Sequence, residues 1–378
     1  MVMGIQLNKL LIYCGKKMKV LHTALMQYYS SGVVSQMYSE YIAAKNLGIN
    51  YEVKIFMPQQ DIPDRYKEII EFFQIENSIK IKIWFEIRKK YYEWLISKKD
   101  STDVYILRYV MYDPYQYFFV KNNDKKVYLV HHTLEIPELR LNGIKGYIQS
   151  LLEIYWGNKS IKSSFGIVGV TNEIVNYEIL RSKCDNKLGI VYSNGISLSS
   201  LDILDLRESN TPEVLFVASY FYDWHGLDLL IKEMKKSDQN IIIHIVGNVR
   251  DSDLEDLNKD KRFIVHSSLS HSQIEKISAR CWIALGSFAL FRNRIKEGST
   301  LKVREYLSNG LPVYSGHKDI FPEDFKFYKY ESLDIENMVI FAHEMRRVNK
   351  VEVRKEAKKY ISKEILLKNF YNKICKNI

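Results

Sequence analysis

Short apolar runs recur along the chain, and most are followed by a stretch whose apolar positions fall three and four apart. The short runs read as strands and the stretches as helices. In the first half, strands are expected at 19–25, 51–57, 103–107, 127–130, 166–170 and 188–191. A helix is expected at 34–47, stopped by Gly48, and Pro58 closes the second strand. After the polar stretch 206–212, strands are expected at 213–218, 241–246, 263–266, 282–285 and 312–315, with helices such as 226–234 and 272–280 between them. The tail, 351–374, is a basic amphipathic helix pair. Strand and helix in alternation predict the α/β class with parallel sheets. The expected organisation is two doubly wound domains, 18–200 and 211–350, joined near 197–211, with 351–378 as C-terminal helices. Such sheets take ligands outside the carboxyl ends of their strands, here facing across a cleft. Residues 1–17 read as an upstream extension, because their apolar run Leu10-Leu11-Ile12-Tyr13-Cys14 is short for a signal peptide.

Bulk properties narrow this little. A chain of 378 residues with 46% hydrophobic positions can build two cores. No run of about 18 uncharged apolar residues occurs, so no membrane-spanning helix is expected. Cys14, Cys184, Cys281 and Cys375 are scattered without metal or disulfide spacing, which favours a reducing cytoplasm. The net charge of +10 comes from lysines mixed among acidic residues, with no zinc-finger or RNA-binding signature, so nucleic acid is not an expected partner.

Chemistry concentrates at 297–305, Glu-Gly-Ser-Thr-Leu-Lys-Val-Arg-Glu. Gly298 and Ser299 make a flexible entry with a capping hydroxyl, 301–307 are good helix formers, and Asn309-Gly310 ends the helix before Pro312. A helix start offers free N–H groups and a positive dipole end to a phosphate, and the carboxylates of Glu297 and Glu305 can hold sugar hydroxyls on either side. The plain alternative is a solvated helix with two ordinary glutamates.

This Glu-x7-Glu pattern, with Leu301-Lys302-Val303-Arg304-Glu305-Tyr306-Leu307 and then Gly310-Leu311-Pro312-Val313, resembles the donor-site signature of retaining GT-B glycosyltransferases. It looks most like glycosyltransferase family 4 members that build bacterial capsular and exopolysaccharides. The resemblance implies a GT-B fold of two Rossmann-like domains with the last helix crossing back to the first. It implies metal-independent transfer of a hexosyl group from a nucleotide diphosphate sugar, with no other cofactor. The acceptor would be a growing glycan or a polyprenyl-diphosphate-linked one, reached by a cytoplasmic enzyme at the inner membrane surface. Oligomeric state, including a homo-oligomer, is left open.

By the same resemblance, His132 and Glu297 are the catalytic candidates. Gly32, Trp224, His225, Gly247, Ser268, Gly298, Ser299, Thr300, Leu301, Lys302 and Glu305 are the donor-binding ones. Two departures stand out. Ser31 replaces the first glycine of a Gly-Gly-Val loop, and His225 stands where the family carries a basic phosphate partner. Lys302, Arg292 or Arg294 would then supply the charge. The pair His131-His132 lacks third and fourth ligands at metal spacing, and Asp113, Glu135 and Glu138 show no pairing for hydrolysis. The helix expected at 81–99, with Trp84, Ile87, Tyr91 and Trp94 among lysines, reads either as a membrane-surface helix or as a core element. Other GT-B nucleotide-sugar enzymes, of epimerase or sucrose-synthase type, and a non-catalytic partner subunit remain as alternatives.

Overall fold

The computed structural model describes residues 18–198 and 203–377; the extension at 1–17 and part of the expected linker lie outside the described residues. Two compact units result: Met1–Tyr192 with Lys363–Ile378, and Ser193–Ser362.

The first unit holds a seven-stranded sheet in the order β3-β2-β1-β4-β5-β6-β7. Its strands are β1 (Val20–Leu25), β2 (Tyr51–Pro58), β3 (Ile70–Phe73), β4 (Val104–Arg108), β5 (Lys126–His131), β6 (Gly166–Gly169) and β7 (Leu188–Val191). All pair in parallel. Side chains alternate across the sheet, so each face builds its own core. Val20 and Ala24 join one core, with Leu367, Phe370 and Ile374 of the final helix Lys363–Lys376. Leu21 and Leu107 join the other, with Tyr91 and Leu95 of the helix Lys80–Ser97. That helix is thus a core element along Ile87, Tyr91, Tyr92 and Leu95. Its Lys90 pairs with Glu76 and Glu86.

The second unit has a six-stranded parallel sheet, β10-β9-β8-β11-β12-β13. The strands are β8 (Glu213–Tyr220), β9 (Ile242–Asn248), β10 (Phe263–His266), β11 (Ile283–Leu285), β12 (Val313–Ser315) and β13 (Tyr328–Tyr330). The strand order reverses direction between β1 and β4 in the first sheet and between β8 and β11 in the second. Doubly wound sheets open a crevice at such a switch point. The return of the chain starts at Lys363, later than the expected 351, because Val353, Ala357 and Ile361 pack the helix Lys350–Ile361 into the second unit's core.

Candidate functional site

The glutamate segment lies beyond the carboxyl end of β11, at the switch point of the second sheet. Its helix runs Leu301–Ser308, with Gly310 left-handed at φ 71° after it. Ser299 does not cap this helix. Its Oγ accepts from Asn194 N at 2.9 Å, and its carbonyl accepts from Asn194 Nδ2 at 2.7 Å. Thr300 takes the cap position without a side-chain bond. Gly298 N donates to Lys318 O at 2.8 Å. A Cβ on Gly298 would lie 2.7 Å from Leu290 Cδ1 and 2.8 Å from His317 Cδ2, so a side chain there would push Leu290 and His317 aside. Fully buried Arg304 donates twice to Asp319, at 2.5 and 2.7 Å, and once to Asn194 O at 3.0 Å. The entry is therefore rigid rather than flexible, and its pinning residues Asn194, Arg304, His317 and Asp319 were not among those expected.

Four buried polar atoms around this entry have no hydrogen-bond partner among the described residues: Thr300 Oγ1, Lys302 Nζ, Ser287 Oγ and His317 Nε2. Buried polar groups are normally paired, so each asks for a missing partner. Lys302 matters most. Its Nζ stands 5.2 Å from the Phe216 ring centre and 5.7 Å from that of Trp224. Burial pulls its ammonium down to about 7, with Glu305 alone opposing. An isolated buried ammonium is costly, and an anion in the site would remove that cost.

His225 does not replace this charge. Its Nδ1 accepts from Tyr222 N at 3.0 Å, and burial, with Lys302 nearby, lowers its pKa to about 3. The imidazole is neutral and keeps its Nε2–H as a donor. Arg292 is committed to Asp228 at 2.9 and 2.7 Å and to Asp223 O at 2.7 Å. Arg294 is exposed in a left-handed turn at φ 58°. Of the three expected substitutes, Lys302 is the one held in the site.

Glu305 sits mid-helix rather than at an end, and burial raises its carboxyl against the pull of His271 and Lys302. Glu297 lies on an extended stretch bridged to Lys318, whose Nζ is 4.0 Å from its carboxylate. The Trp224 ring lies tilted against His225 in the loop after β8, with ring centres 3.6 Å apart. Gly247 has a packing reason of its own: at φ 123°, a Cβ there would meet Ala218 O at 1.6 Å. Ser268 Oγ donates to Asn248 Oδ1 at 3.3 Å.

In the first unit, Gly32 lies in the first turn of the helix Ser31–Leu47 and is exposed. A Cβ there would meet nothing within 4 Å, so packing does not require glycine. The histidine pair separates cleanly. His132 Nε2 accepts from Arg108 Nη1 at 2.6 Å, and burial with the Arg108 charge keeps the ring neutral, well below its usual range. His131, on the other side of the strand, is fully buried on Tyr109. The expectation that no further ligands meet it is corrected. Its Nδ1 lies 2.8 Å from Glu135 and 3.3 Å from Glu178. Arg181 closes the group at 2.6 Å from Glu178 and 2.8 Å from Glu153, filling the cationic place. Tyr109 donates to Glu153 at 2.6 Å. Glu135 is four residues on, whereas Glu178 comes from a distant helix, which spacing in the sequence hides.

No protein-family model and no curated protein matches the sequence. Solved structures do. The apo lipopolysaccharide outer core galactosyltransferase WaaB is similar over 96% of this chain and 100% of its own, with a TM-score of 0.67 at 13% identity. The fold is GT-B. Anabaena HepE in complex with UDP covers 95% of this GT-B chain and 100% of its own, with a TM-score of 0.65 at 11% identity. Sucrose-phosphate synthase from Thermosynechococcus elongatus covers 95% and 99%, with a TM-score of 0.64 at 12% identity.

Proposed function

We propose that this GT-B chain is a retaining hexosyltransferase of the family 4 type. It takes a sugar from a nucleotide diphosphate donor to a growing surface glycan, carried on a polyprenyl-diphosphate lipid and reached from the inner face of the membrane. The carrying observation is Lys302 Nζ, buried and without a hydrogen-bond partner among the described residues, on the helix whose start also carries the unpartnered hydroxyl of Thr300. This is the donor set that a diphosphate's oxygens fill. Similarity to WaaB and to HepE, whose structure holds UDP, supports the reading. Glu305 would accept the ribose hydroxyls and Glu297 those of the transferred sugar. Neutral His132 would face the sugar near its reacting carbon. The leaving phosphate would take the acceptor's proton on the same face, so the protein supplies positioning and charge stabilisation without a metal.

Titration calorimetry with a panel of nucleoside diphosphates tests the site. One of them should bind, and Glu305→Ala should weaken it by roughly ten- to a hundred-fold, as for a lost charged hydrogen bond of about 1.5–3 kcal/mol. Absence of binding by every nucleotide sinks the reading. Hydrolysis of the donor without acceptor separates an enzyme from a non-catalytic partner subunit, and its sugar product separates transfer from epimerisation or sucrose-type synthesis.

A further inference from the structure

One helix of the first unit is turned inside out. Along Gly143–Leu152 and the following π-turn Glu153–Gly157, the residues facing inward are Gly146, Ser150, Glu153 and Gly157. They recur four, three and four apart and include two glycines and a serine. A Cβ on Gly146 would lie 1.8 Å from Leu139 O, so this face needs glycine for its close approach. The apolar stripe at the same helical spacing points outward: Ile144, Tyr147, Ile148, Leu151, Leu152 and Tyr155 are all exposed, Ile144 by 84%. A water-facing helix normally buries that stripe and exposes its polar face. Contiguous apolar surface of this kind marks a binding face.

The stripe continues into a groove of about 570 Å³ lined by Ile81, Trp84, Phe85, Tyr112, Leu152 and Trp156. Its polar lining includes Lys80, Lys145 and Gln149. Lys159 lies over Tyr155 at 3.9 Å, adding a further cation beside the stripe. Aromatic and aliphatic walls with ammonium groups at the mouth match an anionic amphiphile, with chain inside and phosphate outside.

We propose that this face inserts into an anionic lipid surface and that the groove holds a hydrocarbon chain of a phosphate-bearing lipid, with Lys80 and Lys145 at its phosphate. This deepens the reading of a lipid-linked acceptor and rests on it only for the chain's identity. It moves the membrane contact away from the core-packed helix Lys80–Ser97 as a whole and onto 143–157.

The full chain is floated with phosphatidylcholine vesicles, with and without phosphatidylglycerol, and its tryptophan emission is followed with brominated acyl chains. The chain should float with anionic vesicles, keep a salt-resistant fraction, and be quenched, with less quenching in Trp156→Phe. The double variant Ile144→Glu/Ile148→Glu, whose wild-type side chains touch no core, should lose at least tenfold in vesicle binding while nucleotide binding is unchanged. Lys80→Glu/Lys145→Glu should lose the preference for phosphatidylglycerol several-fold. Flotation that disappears in high salt and ignores the isoleucine substitutions overturns the proposal, leaving only attraction through net charge. So does self-association that those substitutions abolish, which makes the face a contact between copies, or quenching protected by a soluble oligosaccharide, which makes the groove a glycan site. Vesicle binding without any nucleotide binding would instead sink the transferase reading and leave this one standing.

Discussion

Both units bury charge, in opposite ways. Around His131, three carboxylates, an arginine and a tyrosine answer one another: Arg181 meets Glu153 and Glu178, and Tyr109 donates to Glu153. Burial lowers the imidazole to about 4 and raises the Glu135 carboxyl to about 7. Around Lys302, no carboxylate among the described residues closes on the ammonium. The His131 group pairs its charges internally while leaving His131 Nε2, Glu135 Oε2 and Glu178 Oε1 without a hydrogen-bond partner among the described residues, whereas Lys302 is a cation with no ion pair among them. Perturbed ionisation and unpartnered polar atoms occur at both places, so neither by itself distinguishes a site; a buried cation without an ion pair among the described residues does.

The sharpest way to break this contrast is Arg181→Leu. It leaves buried carboxylates without their cation and should cost roughly 3–5 kcal/mol of stability. Chemical denaturation measures the loss, and nucleotide affinity of the folded fraction should not change. Lys302→Met should do the reverse. Donor affinity should fall about ten- to a hundred-fold, while the melting temperature stays level or rises, because a lone buried charge has been removed. A fall in melting temperature with unchanged affinity would make Lys302 structural.

Smaller effects refine the picture. Burial brings Lys302 down to about 7, and an anion favours its protonated form. Nucleotide affinity should therefore be highest below pH 7 and weaken by up to tenfold per unit above it, which calorimetry across pH checks. Lys302→Met should flatten that slope. Smallest is His132→Ala, expected to lower turnover more than nucleotide affinity; equal losses in both would make the ring a strand-end support for Arg108.

Much of this was legible in the sequence. The strands of both sheets, the helix after Thr300 and its end at Gly310 follow from apolar runs and capping residues. The short edge strands β3 and β13 escaped, because four residues and three give periodicity too little length. Lys302 was visible as a candidate, but its isolation depends on Phe216 and Trp224, which come from other elements. Glu135 stands four residues after His131, but Glu153, Glu178 and Arg181 sit on later helices that no local spacing joins to it. The helix Gly143–Leu152 shows a different limit. Periodicity says which residues share a face and not which face turns inward. The small residues at 146, 150 and 157 carried that information, as a stripe that permits close approach.

The chain enters the second unit at Ser193 and leaves it at Ser362. Those two ends are stitched together: Ile196 bridges Ser362 in parallel register, and Ile196 N donates to Ile361 O at 2.9 Å. Every buried member of that unit's core falls within the insert. The second unit is thus a module spliced into a host whose last helix closes only after the splice. Chains with adjacent ends and a private core tolerate excision, so 193–362 forms a natural cassette. It should fold when expressed alone, which circular dichroism of the isolated 193–362 segment would check.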